Sequence, residues 1–184
     1  MTDEPSGTLP DFKNRKTYRS FDLQTLAQIS DADLEQALLD YVIFRIGNDW
    51  SQQVETVDAL SSGFRAIYTT IGVEAEVCNG GFNQYFWNSR GRLAAQAVEG
   101  FRRIGAPEYA DLMQRAIATW RSELPVLEQF KEVDTLEAFS ESYGHTTLGK
   151  LDDEFYELAE VSDLSELRLH YIRSHVHEFV TQDG

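Results

Sequence analysis

Cysteine and long apolar runs are scarce in this chain, and basic residues are few. The only cysteine in 184 residues, Cys78, excludes an internal disulfide and a cysteine-based zinc site, and its apolar neighbours predict a small buried residue. No apolar run approaches the roughly 20 residues that cross a bilayer, so we expect no membrane span. The acidic N-terminus lacks the apolar stretch of a secretory signal, and we therefore expect a cytoplasmic protein.

The patterns that mark common catalytic and cofactor sites are also missing. The pair Gly80–Gly81 lacks the Lys-Ser/Thr of a phosphate-binding loop and the third glycine of a dinucleotide fingerprint. His170 and His177 lie seven residues apart on one predicted helix, about 10 Å along its axis, which is too far for one metal ion. No nucleophile with a partnering base stands out from the sequence. We expect no enzyme, no cofactor and no metal site.

Acidic residues dominate the chain, with 31 Asp and Glu against 16 Lys and Arg and a net charge of -15. Residues 31–76 hold nine acids and two bases, and residues 131–184 hold thirteen and four, whereas residues 77–130 hold five and six. Affinity for nucleic acid phosphates comes mainly from Lys and Arg, so we expect no direct nucleic-acid binding. An acidic surface attracts basic partners, although solubility alone also explains such a charge.

Apolar residues at helical spacing predict an all-α fold, a single compact domain of about seven or eight helices. Residues 1–17 contain Pro and Gly with little periodicity and are predicted to form a flexible arm, and residues 18–184 form the helical acidic domain. An apolar stripe that starts at Val57 predicts one helix that runs on to Cys78. The spacing of Asp134 and Glu137, three residues apart, predicts a helix that begins with Asp134 as its cap.

One segment with little charge separates the acidic blocks, NGGFNQYFWNSRG, from Asn79 to Gly91. Its two adjacent glycines predict the end of the preceding helix, and the aromatic residues that follow share one face of a short helix. Its four side-chain amides are suited to bonding free backbone groups at helix ends. We interpret the segment as a buried helix-turn-helix connection, and a ligand pocket is the alternative.

This segment, together with AVEGFRRIGAPEYADLMQRA downstream, resembles the bacterial family of DNA mimic protein nineteen. The family pattern E-V-x-N-G-G-F-x-Q-Y-F-x-N is carried by Glu76, Val77, Asn79, Gly80, Gly81, Phe82, Gln84, Tyr85, Phe86 and Asn88. We interpret these residues as structural, and a looser similarity runs from about residue 30 to residue 180. The resemblance implies an all-α fold and a homodimer whose carboxylates imitate DNA phosphates and occupy the DNA-binding surface of a transcriptional regulator.

Two groups of acids are candidates for a partner-binding surface, and they are chosen from the helical pattern because the motif carries few acids. Asp153, Glu157 and Glu160, at i, i+4 and i+7, are predicted to form a row on one helix. We expect the partner to be a basic DNA-binding protein, such as a transcriptional regulator, for which this protein competes with DNA. The candidates are Asp152, Asp153, Glu154, Glu157, Glu160, Asp163 and Glu166 in the second acidic block, and Asp31, Asp33, Glu35 and Asp40 in the first.

The alternative function is a small-ligand-binding or enzymatic domain built on the amide and aromatic cluster at residues 79–88. Asn79, Gln84, Tyr85 and Asn88 carry that hypothesis. Two exposed rows of carboxylates with no pocket at the motif favour mimicry, whereas a pocket lined by these amides favours the alternative.

Overall fold

A computed structural model describes residues 16–181, and the regular secondary structure in that range is entirely helical. The all-α prediction is confirmed. The predicted arm at residues 1–17 lies almost wholly outside the described residues. The helices are α1 (Leu23–Gln28), α2 (Asp31–Ile46), α3 (Gln53–Ala59), α4 (Ser62–Ser89), α5 (Ala94–Arg103), α6 (Pro107–Val133), α7 (Leu136–Ser142), α8 (Gly149–Val161) and α9 (Leu164–Ser174), with 3₁₀ turns at Trp50–Gln52, Tyr143–His145 and Val176–Phe179.

Helix α4 forms the centre of the fold. Helices α2, α5 and α8 pack against it, α6 lies on α5 and α8, and α9 lies on α2. Its side chains Ile67, Val73 and Val77 are almost completely buried, and burial of such a side chain contributes about 1.5–3 kcal/mol. None of the described helices is both long and apolar enough to cross a membrane.

Short helices account for the difference between the nine α-helices described here and the seven or eight predicted. Helix α1 has six residues and α3 has seven, too few to show a full apolar stripe. The predicted helix from Val57 to Cys78 is divided, because Ser61 caps α4 by accepting a hydrogen bond from Phe64 N–H at 3.4 Å. The apolar stripe continues across this cap because both helices face the same core.

Two further predictions of local structure are wrong. Helix α7 is capped by Thr135, whose Oγ1 accepts a hydrogen bond from Ala138 N–H at 3.2 Å, whereas Asp134 ends α6 in a left-handed conformation. Cys78 is exposed, although its apolar sequence neighbours predicted burial. Successive residues of a helix point about 100° apart, so buried Val77 and exposed Cys78 lie on different sides of α4.

Candidate functional site: the acidic face of α8 and the glycine kink beneath it

The glycine pair ends the first helical segment of α4, as predicted, and a kink joins that segment to a second one. Gly80 and Gly81 have non-helical backbone angles, with φ +72° and ψ -179° at Gly81, and the helix then resumes as far as Ser89. Such a conformation is essentially restricted to glycine. A Cβ atom at Gly81 would also lie 2.2 Å from Asp152 Oδ2. Glycine is therefore required both for the backbone angle and for the close approach of that carboxylate.

Three side chains from outside the motif bind the backbone groups that the kink leaves free. They come from α8 and from the 3₁₀ turn after α7, so they fix the kink to two other parts of the fold. A carboxylate acceptor meets a free N–H group, and two phenol donors meet free carbonyl groups, as helix ends require. The contacts are Phe82 N–H to Asp152 Oδ1 at 2.7 Å, Tyr143 Oη to Gly80 O at 2.6 Å, and Tyr156 Oη to Val77 O at 2.9 Å.

The motif amides bond to other side chains, and not to the backbone groups that the sequence predicted as their partners. Asn79 Nδ2 donates to Gln84 Oε1 at 3.0 Å. Gln84 Nε2 and Asn88 Nδ2 both donate to Glu76 Oε2, at 2.7 and 2.8 Å. The amides and Glu76 thus connect the two halves of α4 across the kink.

The aromatic side of the motif is buried. Phe82 lies edge-on to Phe155 of α8, and Phe86 stacks on Trp120 of α6 with ring centroids 4.8 Å apart. Buried Asn83 donates to Ser142 Oγ of α7 at 2.8 Å. These contacts lie among the packed helices, which agrees with the structural interpretation of the motif.

Asp152 belongs to this kink and is only half-buried. Burial raises the pKa of the Asp152 carboxyl, and the hydrogen bond from Phe82 N–H partly offsets that effect. Asp152 is the only one of the predicted acids that forms a hydrogen bond with the motif among the described residues.

Asp153, Glu157 and Glu160 form an exposed row along α8. No basic side chain among residues 16–181 lies within ion-pair distance of any of the three. On one flank of the row, Glu154 receives two hydrogen bonds from Arg115 of α6, at 2.9 and 2.5 Å. The bond from Arg115 lowers the pKa of the Glu154 carboxyl. The row therefore lies between a flank that contacts α6 and a flank that contacts the kink of α4.

Acids near the Glu160 end of the row extend the charged surface. Asp163 caps α9 by accepting hydrogen bonds from Ser165 and Glu166 N–H, and Glu166 is exposed. Two exposed acids that sequence reasoning missed, Glu108 and Asp111, lie in the first turns of α6. Helix α6 runs antiparallel to α8, because Tyr109 Oη donates to Ser162 O at the end of α8 and Arg115, further along α6, donates to Glu154 nearer the start of α8. The sequence signal for these two acids was their i, i+3 spacing on a helix whose apolar stripe includes Tyr109.

The first predicted acidic group is bonded within the fold. Asp31 forms an ion pair with Arg173 at 2.6 Å, and Glu35 pairs with Arg168 at 3.2 Å. Ser30 Oγ donates to Asp33 Oδ2 at 2.6 Å, and Gln36 Nε2 donates to Asp40 Oδ1 at 2.9 Å. These acids link α2 to α9 or bond within α2, so they do not form a second free row.

Arg168 is the most deeply buried charge among the described residues, with 3% of its side chain exposed. It pairs with Glu35 of α2 and with Glu74 of α4, the latter at 2.7 Å. Burial raises the pKa of Glu35, and the charge of Arg168 partly offsets that effect. One guanidinium therefore joins three helices and compensates two carboxylates.

An open depression of about 360 Å³ lies where the motif faces α7. Asn79, Gln84 and Asn88 line one side of it, and Leu136 and Phe139 line the other. Within residues 16–181, no group of three His, Cys, Asp or Glu side chains is arranged to hold a metal ion. The depression is thus an amide-lined surface without a metal cluster in the described part of the chain.

Comparison with known proteins identifies the family. Searches of curated proteins and of solved structures found no match. A family model described as DMP19-like protein matches residues 58–175, a range that contains the glycine kink, all of α8 and the first turns of α6. The match covers more than half of the sequence and confirms the resemblance carried by the motif. The chain belongs to the DMP19-like protein family.

Proposed function

We propose that this protein binds a basic DNA-binding protein, such as a transcriptional regulator, through the acidic face of α8 and competes with DNA for it. The observation that carries the proposal is the exposed row Asp153, Glu157 and Glu160, which has no basic partner among residues 16–181. An unpaired carboxylate offers its whole charge to a partner, whereas an ion-paired one does not. Membership of the DMP19-like family supports this function.

The three carboxylates of the row are spaced too widely to match the charges of a DNA strand by themselves, so the partner-binding surface must include further acids. With a rise of about 1.5 Å per residue, the three carboxylates are spaced about 6 and 4.5 Å along the axis. One DNA strand carries a charge about every 3.4 Å, so the row alone is sparser than the strand. The exposed acids Glu108 and Asp111 on α6 and Glu166 on α9 supply further charge near its Glu160 end. The proposed surface is the row together with these neighbours.

The proposal assigns the protein a binding role and no reaction. Affinity that depends on carboxylates and basic side chains weakens as salt screens them, with a Debye length near 8 Å at physiological ionic strength. A partner that uses one surface for DNA and for this protein cannot bind both at once.

The test is affinity capture from a lysate of the source organism, followed by elution with duplex DNA. We expect a DNA-binding protein to be recovered at low salt, released by DNA, and lost when Asp153→Asn, Glu157→Gln and Glu160→Gln are combined. Recovery of no DNA-binding protein, or a captured protein that binds DNA and this protein simultaneously, would refute the proposal.

The amide-lined depression favours a second candidate function, a small-ligand site at the motif. Asn79, Gln84 and Asn88 line it, although each already donates a hydrogen bond within the protein. Asn88→Ala separates the two candidates, because Asn88 lies outside the acidic row. The second candidate would be favoured if a ligand that binds the unaltered protein no longer binds the Asn88→Ala variant. That variant should still fold and bind the partner normally.

A further inference from the structure

A pocket of about 340 Å³ lies on the side of α4 between α2, the 3₁₀ turn at Trp50–Gln52 and the start of α5. Its volume falls within the range of about 300–1,000 Å³ that small-molecule sites occupy. Leu39, Ile71 and Leu93 form apolar walls, and Trp50, half-exposed, lies beside them. None of these residues belongs to the acidic surface of α8.

Gly72 forms part of the bed of this pocket in the middle of α4. A glycine inside a helix lowers stability relative to alanine, so a packing reason for it is expected. A Cβ atom at Gly72 would meet no atom within 4 Å, whereas one at Gly63 or Gly100 would lie 2.9 Å from a neighbouring side chain. Close packing therefore explains those two glycines but not Gly72. Gly72 leaves its part of the pocket without a side chain.

Two side chains of opposite charge line the same pocket. Glu76 accepts the motif amides on Oε2, and its Oε1 receives no hydrogen bond from the described residues. Arg92 donates from Nε to Ser89 O at 3.1 Å, and its Nη groups make no hydrogen bond within residues 16–181. A carboxylate oxygen and the guanidinium end are thus both available to a bound molecule.

We propose that this pocket binds a small zwitterion with an apolar body, of the class of apolar and aromatic α-amino acids. Glu76 accepts hydrogen bonds from the ligand ammonium group, and Arg92 donates to the ligand carboxylate, for which its planar fork is suited. The apolar side chain of the ligand lies over Gly72 against the apolar walls. The inference stands apart from the proposed mimicry, because the two surfaces share no residue.

The test is calorimetric titration of the full chain with three ligands that share one ring and differ in charge: L-phenylalanine, 3-phenylpropionate and phenethylamine. We expect saturable binding of L-phenylalanine, and binding of the other two that is weaker by about tenfold or more, since each lacks one charged partner. Glu76→Gln and Arg92→Gln should each weaken binding of L-phenylalanine.

A pair of glycine variants supplies the structural control. Gly72→Leu places a side chain in the pocket and should abolish binding of L-phenylalanine while preserving thermal stability, because leucine is a better helix former and its Cβ atom meets no neighbour within 4 Å. At Gly144 a Cβ atom also meets no neighbour within 4 Å, and this position lies outside the pocket, so Gly144→Leu should leave binding unchanged.

Four results would overturn the inference. Three are no binding of L-phenylalanine up to about 10 mM, equal binding by Gly72→Leu, and equal affinity for 3-phenylpropionate. The fourth is a fall in solution mass on Gly72→Leu without ligand, which would assign the pocket to a second copy of the chain.

Discussion

Asp152 and Asp153 are sequence neighbours with the same side chain, yet they belong to two contrasting regions of the molecule. Asp152 is half-buried and accepts a hydrogen bond from Phe82 N–H at the kink of α4. Asp153 is exposed and begins the row that has no basic partner among the described residues. Adjacent positions of a helix point about 100° apart, which is enough to place one carboxylate inside the fold and the other on its surface.

The same contrast separates α2 from α8. Both helices carry several acids, but Asp31 and Glu35 of α2 are paired with Arg173 and Arg168. The row on α8 has no such partner within residues 16–181. The number of acids in a helix therefore does not show whether their charge is available to another molecule. That depends on whether arginines of neighbouring helices already form ion pairs with them.

The largest expected effect is on stability, from the buried side of this contrast. Arg168→Gln leaves Glu35 and Glu74 without their shared cation, and we expect the free energy of unfolding to fall by about 3–5 kcal/mol. The control is Arg115→Gln, which breaks the exposed pair with Glu154 and should cost no more than about 1 kcal/mol. Urea denaturation measures both. Equal losses would show that burial does not make the ion pairs of Arg168 more stabilising than the exposed pair of Arg115 and Glu154.

Gly81→Ala tests the kink itself. The positive φ and the close approach of Asp152 lead us to expect a loss of about 2–4 kcal/mol. Gly144→Ala, at an open position, should change the free energy of unfolding by less than about 0.5 kcal/mol. Where it remains folded, Gly81→Ala should bind the partner normally. A stable Gly81→Ala protein that has lost partner binding would show that the motif is functional and not structural.

A smaller effect separates Asp152 from the row beside it. Asp152→Ala leaves Phe82 N–H without an acceptor and should cost about 1–3 kcal/mol. Combined neutralisation of Asp153, Glu157 and Glu160 to amides should change stability by less than about 1 kcal/mol, because these side chains face solvent. Thermal and urea unfolding provide the measurement. A large loss from the triple variant would mean that the row also supports the fold.

The smallest effect concerns pH. Burial raises the pKa of Asp152, so the stability that its protonation contributes is fully present below the unfolded-state pKa and is lost as pH rises through the folded-state pKa. Asn at this position does not titrate. The stability of Asp152→Asn relative to the unaltered protein should therefore rise between about pH 3 and pH 7, by less than about 1 kcal/mol because solvent screens a half-buried group. A relative stability that falls over this range would contradict the assignment.

The sequence predicted the features of this molecule that depend on local patterns. Apolar spacing identified the all-α fold, and the motif around Gly80 and Gly81 identified the family. The exposed positions of Asp153, Glu157 and Glu160 also followed from helical spacing opposite the buried Leu151 and Phe155.

Contacts between distant parts of the chain were not predictable in the same way. Asp152 is 70 residues from Phe82, and Asp31 is 142 residues from Arg173. No local pattern states which helix an acid faces once the helices have packed. For the same reason, the sequence predicted the helix end at the glycine pair but not what holds the kink, because those side chains come from α8 and the turn after α7.

The most direct measurement compares two triple variants in competition with DNA. One variant combines Asp153→Asn, Glu157→Gln and Glu160→Gln, and the other combines Glu132→Gln, Glu137→Gln and Glu141→Gln. The second set is also exposed and without a basic partner among the described residues, and it lies at the end of α6 and on α7.

We expect the captured DNA-binding protein to lose affinity for the first variant by about tenfold or more and to be displaced by duplex DNA at lower concentration. The second variant, with the same net charge, should bind nearly as the unaltered protein does. Equal losses from the two variants would contradict a specific role for the face of α8 and leave only a general effect of negative charge.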